Sequence, residues 1–202
     1  MKRLVAIFWT ALCLFAVANA QSTRNSASAQ QTLFDFGWEF SQQPEYGQWQ
    51  RVDLPHDWDI YQAPHIDAPT GNDGGYYPGG YGEYRKTFAT PSAERVKLHF
   101  EGVYQRAEVW VNGKKARQHA YGYTPFTVDV TPYLYSRGTK QQNEVVVKVD
   151  NTRQPNCRWY SGSGIYRHVW LQTMPDVHPY SVYITTPEAS AESARVDVTR
   201  LS

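Results

Sequence analysis

The chain has 202 residues, with 20 Lys and Arg against 19 Asp and Glu and a pI near 7.8. A net charge of +1 without a clustered basic face argues against a nucleic-acid partner or an anionic membrane surface. Aromatic residues make up 15% of the chain, a composition that suits pleated surfaces and, where the rings are exposed, the faces of sugars.

Lys2 and Arg3, the apolar run from Leu4 to Val17 and the small residues Ala18-Asn19-Ala20 have the form of a secretory signal peptide. Residues 1–20 are therefore expected to be removed, leaving an exported protein, periplasmic or secreted, that begins near Gln21. The apolar run is shorter than the ~20 residues a spanning helix needs, so no membrane attachment is expected after cleavage. Cys13 leaves with the peptide, and Cys157 then has no internal partner for a disulfide. The fold must rest on a hydrophobic core, and roughly 180 residues suffice for one. The six histidines show no paired ligand spacing, so no metal is expected.

Residues 21–32 are small and polar and read as a flexible leader. From Leu33 onward no stretch sustains the 3.6-residue apolar period of a helix. Short alternating runs instead predict strands at Tyr84–Ala89, Val96–Phe100, Ala107–Val111, Phe126–Val130, Glu144–Val149, His168–Gln172 and Ser181–Thr185. Asn112-Gly113 predicts a type I′ hairpin, since both turn positions need positive φ. Many short strands without helices between them make the chain all-β, with a two-sheet jelly-roll sandwich over 33–186.

Three connections are long: Asp53 to Gly82, Ala120 to Pro125, and Asn151 to Arg167. They carry Trp58, Tyr61, Tyr76, Tyr77, Trp159 and Tyr160, which favours working loops over disordered ones. Pro187 to Glu192 reads as a linker and Ala194 to Leu201 as the first strand of a following unit, so residues 187–202 are expected to lead into a further domain.

Five strings occur in order: Asp53-Leu54-Pro55-His56-Asp57-Trp58, Tyr84-Arg85-Lys86-Thr87-Phe88, Phe100-Glu101-Gly102-Val103, Val109-Trp110-Val111-Asn112-Gly113-Lys114 and Trp159-Tyr160-Ser161-Gly162-Ser163-Gly164-Ile165-Tyr166-Arg167. Together they resemble the N-terminal sugar-binding domain of family 2 glycoside hydrolases, β-galactosidase-like. The resemblance implies a galactose-binding-like jelly roll, followed by an immunoglobulin-like sandwich and a barrel that carries the acid/base and nucleophile glutamates. It also implies two partners: a β-galactoside or related glycan, and the C-terminal catalytic domains of the same protein. In that family a polar residue after the Val-rich strand reaches the sugar. The matching strand is Glu144–Val149, so the implied substrate contacts are Asp150, Asn151, Arg158, Trp159 and Tyr160. Tyr77, Tyr81 and Glu83 stand where relatives often have Leu, Ile and Trp, which leaves the sugar open. The alternatives are a free-standing carbohydrate-binding module and a structural sandwich.

No catalytic residue is assigned within the chain. Retention needs two carboxyl groups about 5 Å apart, and the densest acidic cluster, Asp53, Asp57 and Asp59 beside His56, is expected to serve loop hydrogen bonding around a buried imidazole. Ser161-Gly162-Ser163-Gly164 lacks the register and the strand-to-helix setting of a nucleophile turn. No cofactor is expected, and a structural calcium of the kind some jelly rolls hold is left open. Asp150 and Asn151 are expected in a solvent-facing turn, Gly102 in a conformation other residues resist, Arg167 on a carboxylate, and Trp110 in the core, where truncation costs about 3 to 5 kcal/mol.

Overall fold

A computed structural model describes residues 29–178 and 181–201. Its strands are β1 (Gln30–Leu33), β2 (Trp38–Ser41), β3 (Gln50–Val52), β4 (Gly80–Phe88), β5 (Arg95–Phe100), β6 (Ala107–Val111), β7 (Lys114–His119), β8 (Phe126–Asp129), β9 (Asn143–Asn151), β10 (Val169–Met174), β11 (Ser181–Ala189) and β12 (Ala194–Leu201). Two antiparallel sheets, ordered β1-β10-β5-β8 and β3-β2-β4-β9-β6-β7, face each other as the expected jelly-roll sandwich.

Alternation decides which side chains enter the core. In β9, Val145, Val147 and Val149 are fully buried, while Glu144, Val146, Lys148 and Asp150 lie on the outer face. Val109 and Val111 of β6, Tyr84 of β4, and Leu98 and Phe100 of β5 meet them between the sheets. Trp38 is the tryptophan at the centre, with no exposed surface and its indole N–H donating to the Phe34 carbonyl at 2.9 Å. Trp110 stands elsewhere than expected. On the outer face of β6 it lies beneath the Lys148 ammonium at 5.4 Å and donates to Glu108.

The hairpin forms as expected, with Asn112 at φ 49° and Gly113 at φ 76° between β6 and β7. Strand β7 was hidden in the sequence because Lys-Lys-Ala-Arg-Gln-His reads as polar. It is the edge of its sheet and needs no apolar face.

Several expected boundaries move. The expected signal peptide, residues 1–20, and residues 21–28 lie outside the described residues. Gln30 to Thr32, expected in the leader, pair with β10. At the other end β11 does not join the sandwich sheets, and 187–192 is not a free linker. Strand β11 runs on to Ala189 and pairs with β12 in its own two-stranded sheet. The register shift between Thr185 and Glu188 accommodates Pro187, which has no N–H to donate.

Candidate functional site

Strand register gathers the long loops at one end of the sandwich. Gly80 pairs with Asn151, Ala107 with both Val149 and His119, and Phe100 with both Phe126 and Val169. The connections after β3, β5, β7 and β9 therefore meet there.

A polar network beneath these loops holds them together. Asn151 closes β9 rather than opening a turn, and its side chain is 1% exposed. Its amide nitrogen donates to Ser163 Oγ at 2.7 Å and to the Gly162 carbonyl at 3.2 Å. Its oxygen accepts from Gln154 at 2.8 Å, Asn156 at 2.9 Å and Gln105 at 3.3 Å. The Ser163 hydroxyl donates a hydrogen bond to Asp59 Oδ2 at 2.6 Å, so this serine is a buried strut and not a nucleophile. Asp59 Oδ1 also accepts the Gly79 N–H at 2.9 Å, and burial raises the pKa of this carboxyl. Asp57 takes the Ser163 N–H at 2.9 Å and the Tyr160 hydroxyl at 2.6 Å. These acids are occupied in tying the 53–79 loop to the 152–168 loop, as the residue types suggested. Glycine is required at two points of the seam. A side chain on Gly162, at φ 71°, would meet Asp57 at 2.6 Å, and one on Gly164, at φ 124°, would strike the Tyr84 hydroxyl and the His56 carbonyl.

His56 is 6% exposed and shares a 2.8 Å hydrogen bond with the Tyr84 hydroxyl. Burial lowers its pKa, with the Asp57 charge pulling the other way. The unfolded chain therefore takes up a proton that the folded imidazole resists. The contribution of neutral His56 to stability is complete above the ordinary value of 6.5 and is lost as pH falls through the depressed folded value. Between pH 7.5 and 5.5 the urea midpoint should fall further for the wild type than for His56→Gln. Equal falls in the two proteins would remove His56 as the cause.

Above the network the surface changes character. Trp159 is 58% exposed, and its indole N–H donates to the Tyr123 hydroxyl at 2.8 Å. Tyr160, 39% exposed, packs its ring 4.8 Å from that of Tyr77. Tyr121 and Tyr123, from the 120–125 loop, continue the band with ring centroids 5.7 Å apart. Sequence reasoning named that loop but not these two tyrosines, although the Tyr-Gly-Tyr string in a working loop was a usable signal. Arg158 is exposed beside them. The enclosed space between band and network is about 10 Å³, room for no more than a water, so a sugar must meet the band from outside.

The structure thus separates the expected contacts. Arg158, Trp159 and Tyr160 share the open band. Asn151 lies beneath it, fully engaged within the chain, because a strand that carries buried valines at every second position places its ninth residue on the core side as well. Asp150 points the other way, to the outer face. There it pairs with Arg106 at 3.1 Å and accepts two hydrogen bonds from Thr152, on the rim of a cavity of about 290 Å³. Burial pushes the Asp150 carboxyl up, but hydrogen bonds from Arg106 and Thr152 outweigh it and bring the pKa to about 2.

Two further expectations change. Gly102 has no left-handed backbone; a side chain there would strike the Tyr166 ring at 2.7 Å. Arg167 lies 5.8 Å from the Tyr166 ring, and it is His168 that reaches a carboxylate, Asp35, at 2.6 Å.

With this geometry in place, comparison with known proteins gives a consistent result. Residues 40–175 match the family model for the sugar binding domain of glycosyl hydrolases family 2. The chain is similar to beta-galactosidase BoGH2A of Bacteroides ovatus, 43% identical over 72% of this chain and 17% of that protein. It is 34% identical to a beta-glucuronidase of Bacteroides fragilis over 72% of this chain and 21% of that one. The solved structure of a family 2 member from Bacteroides cellulosilyticus superposes with a TM-score of 0.76 at 34% identity, covering 85% of this chain and 24% of the other. The chain spans about a fifth of the length of the curated relatives it matches. On the fold, the five ordered strings and a family match that covers most of the described residues, the chain belongs to glycosyl hydrolase family 2, as the family's N-terminal sugar-binding domain.

Proposed function

We propose that this domain serves an exported, retaining exo-β-glycosidase of β-galactosidase type, contributing no catalytic group and shaping the sugar subsite of a neighbouring catalytic barrel. The observation that carries the reading is the open band of Arg158, Trp159 and Tyr160 held over a network whose polar atoms are already satisfied. An indole face covers the apolar side of a hexose, and a guanidinium donates to its hydroxyls. Asp150 remains a rim contact, ionised throughout the neutral range. Asn151 acts through the network, positioning the band.

The relatives include a beta-galactosidase and a beta-glucuronidase, so sugar choice is the part to test. The complete enzyme should show a higher kcat/KM on nitrophenyl β-galactoside than on nitrophenyl β-glucuronide, and the 202-residue chain alone should turn over neither. The opposite preference would make the enzyme a glucuronidase, and turnover by the chain alone would place catalysis inside it. Export is tested separately. Mass spectrometry of the secreted or periplasmic product should find an N-terminus near Gln21, whereas a membrane-bound product that retains Met1 would identify the segment as an anchor.

A further inference from the structure

At the β3 edge of the six-stranded sheet, two hollows of about 560 and 370 Å³, lined by no residue of the Trp159 band, share Phe40, Gln42 and Gln50 as common walls. Together they make one elongated groove. Tyr61 flanks one end with its ring stacked on the buried His56 at 5.7 Å and 21°, and it remains 74% exposed. Trp49 lines the other end, its ring fixed by the Arg85 guanidinium at 4.0 Å, which is itself paired with Glu39 at 2.7 Å. Between them the lining combines the amides of Gln42, Gln50 and Gln62 with the apolar walls Phe40, Val52 and Trp58, and Gln62 donates to Gln42 at 3.4 Å. The charges at the groove balance: Arg51 and Asp53 line it, and Arg85 over Trp49 is paired with Glu39.

We infer that this groove is a second glycan-binding site, for a neutral polysaccharide chain. Each carboxamide both donates and accepts, which matches neighbouring hydroxyls on a sugar, and flat rings at either end match the apolar faces of pyranose units. Balanced charge disfavours an anionic ligand, and amides set among the apolar walls disfavour a wholly apolar one. An extended groove with aromatic ends suits several linked sugars rather than one. Such a site holds polymer near the enzyme without touching the bond that is cleaved. The inference rests on residues other than those of the proposed subsite, so either can fail alone.

Affinity gel electrophoresis of the chain through β-1,4-galactan, xyloglucan and galactomannan tests it. The wild type should be retarded by at least one of the three. Tyr61→Ala and Gln50→Ala should each weaken that retardation about tenfold in apparent Kd, as loss of a contact with its partner left unpaired does. Lys114→Ala, on the β7 edge at the far side of the same sheet, should leave it unchanged. Gln50 is exposed, so its variant keeps the test valid if Tyr61→Ala unfolds early. No retardation by any of the three polymers overturns the inference. So does retardation that survives both groove variants but is lost in Trp159→Ala, because the binding then belongs to the loop band.

Discussion

Asn151→Ala should lower the stability of the chain by about 3 kcal/mol or more, because each buried polar group left without a partner costs about 1 to 3 kcal/mol. The substitution removes five hydrogen bonds at once and leaves two buried acceptors, the Ser163 hydroxyl oxygen and the Gly162 carbonyl, without the donor they had. For a domain of this size the melting temperature should fall by roughly 6 to 12 °C. The neighbouring Asp150→Ala should shift it less, since the Asp150 carboxylate is 39% exposed and ion pairs open to water contribute about 0 to 1 kcal/mol. Thermal melts of the two variants side by side decide the matter. A loss below about 1 kcal/mol for Asn151→Ala would mean that water replaces the amide and that the network does not depend on it.

Trp38→Ala should cost about 3 to 5 kcal/mol, the range for removing a large buried aromatic ring. Trp38 has no exposed surface, packs edge-on to Phe34 at 5.8 Å and satisfies its only donor internally. Trp110→Ala should cost less than half as much, because its ring lies partly open on the outer face under a lysine. Urea melts of both variants provide the check. Equal losses, or a greater loss for Trp110, would contradict the placement of the core between the two sheets.

The comparison of these two tryptophans shows what was legible in the sequence. Val-rich alternation at 145–149 and the Asn112-Gly113 turn are local signals, and each led to the right element. The faces were harder to assign. Val109-Trp110-Val111 is apolar throughout, so its pattern does not say which side chain turns inward; pairing with β9 decides it. The same ambiguity misplaced Asn151. A polar residue followed by Thr, Arg, Gln and Pro reads as a turn, yet the core-side phase of β9 continues through it. Burial of its amide is affordable only because the 152–168 loop folds back to supply partners. Gln154 and Asn156 are near in sequence, but Gly162, Ser163 and Gln105 lie 11, 12 and 46 residues away, outside a local window. Strands β2 and β3, at four and three residues, were too short to show any period. Arg158, Trp159 and Tyr160 were named through the family resemblance, and the structure adds that all three lie open on the loop band.

The most direct test is the kcat/KM of the complete enzyme for nitrophenyl β-galactoside when Trp159, the most exposed ring of the band among the proposed contacts, is changed to Ala. The account predicts a fall of about tenfold or more with the melting temperature unchanged within a few degrees, the mark of a lost substrate contact and not of a damaged fold. Wild-type kinetics in a stably folded Trp159→Ala enzyme would contradict it, and the loop end would then be only a structural seam.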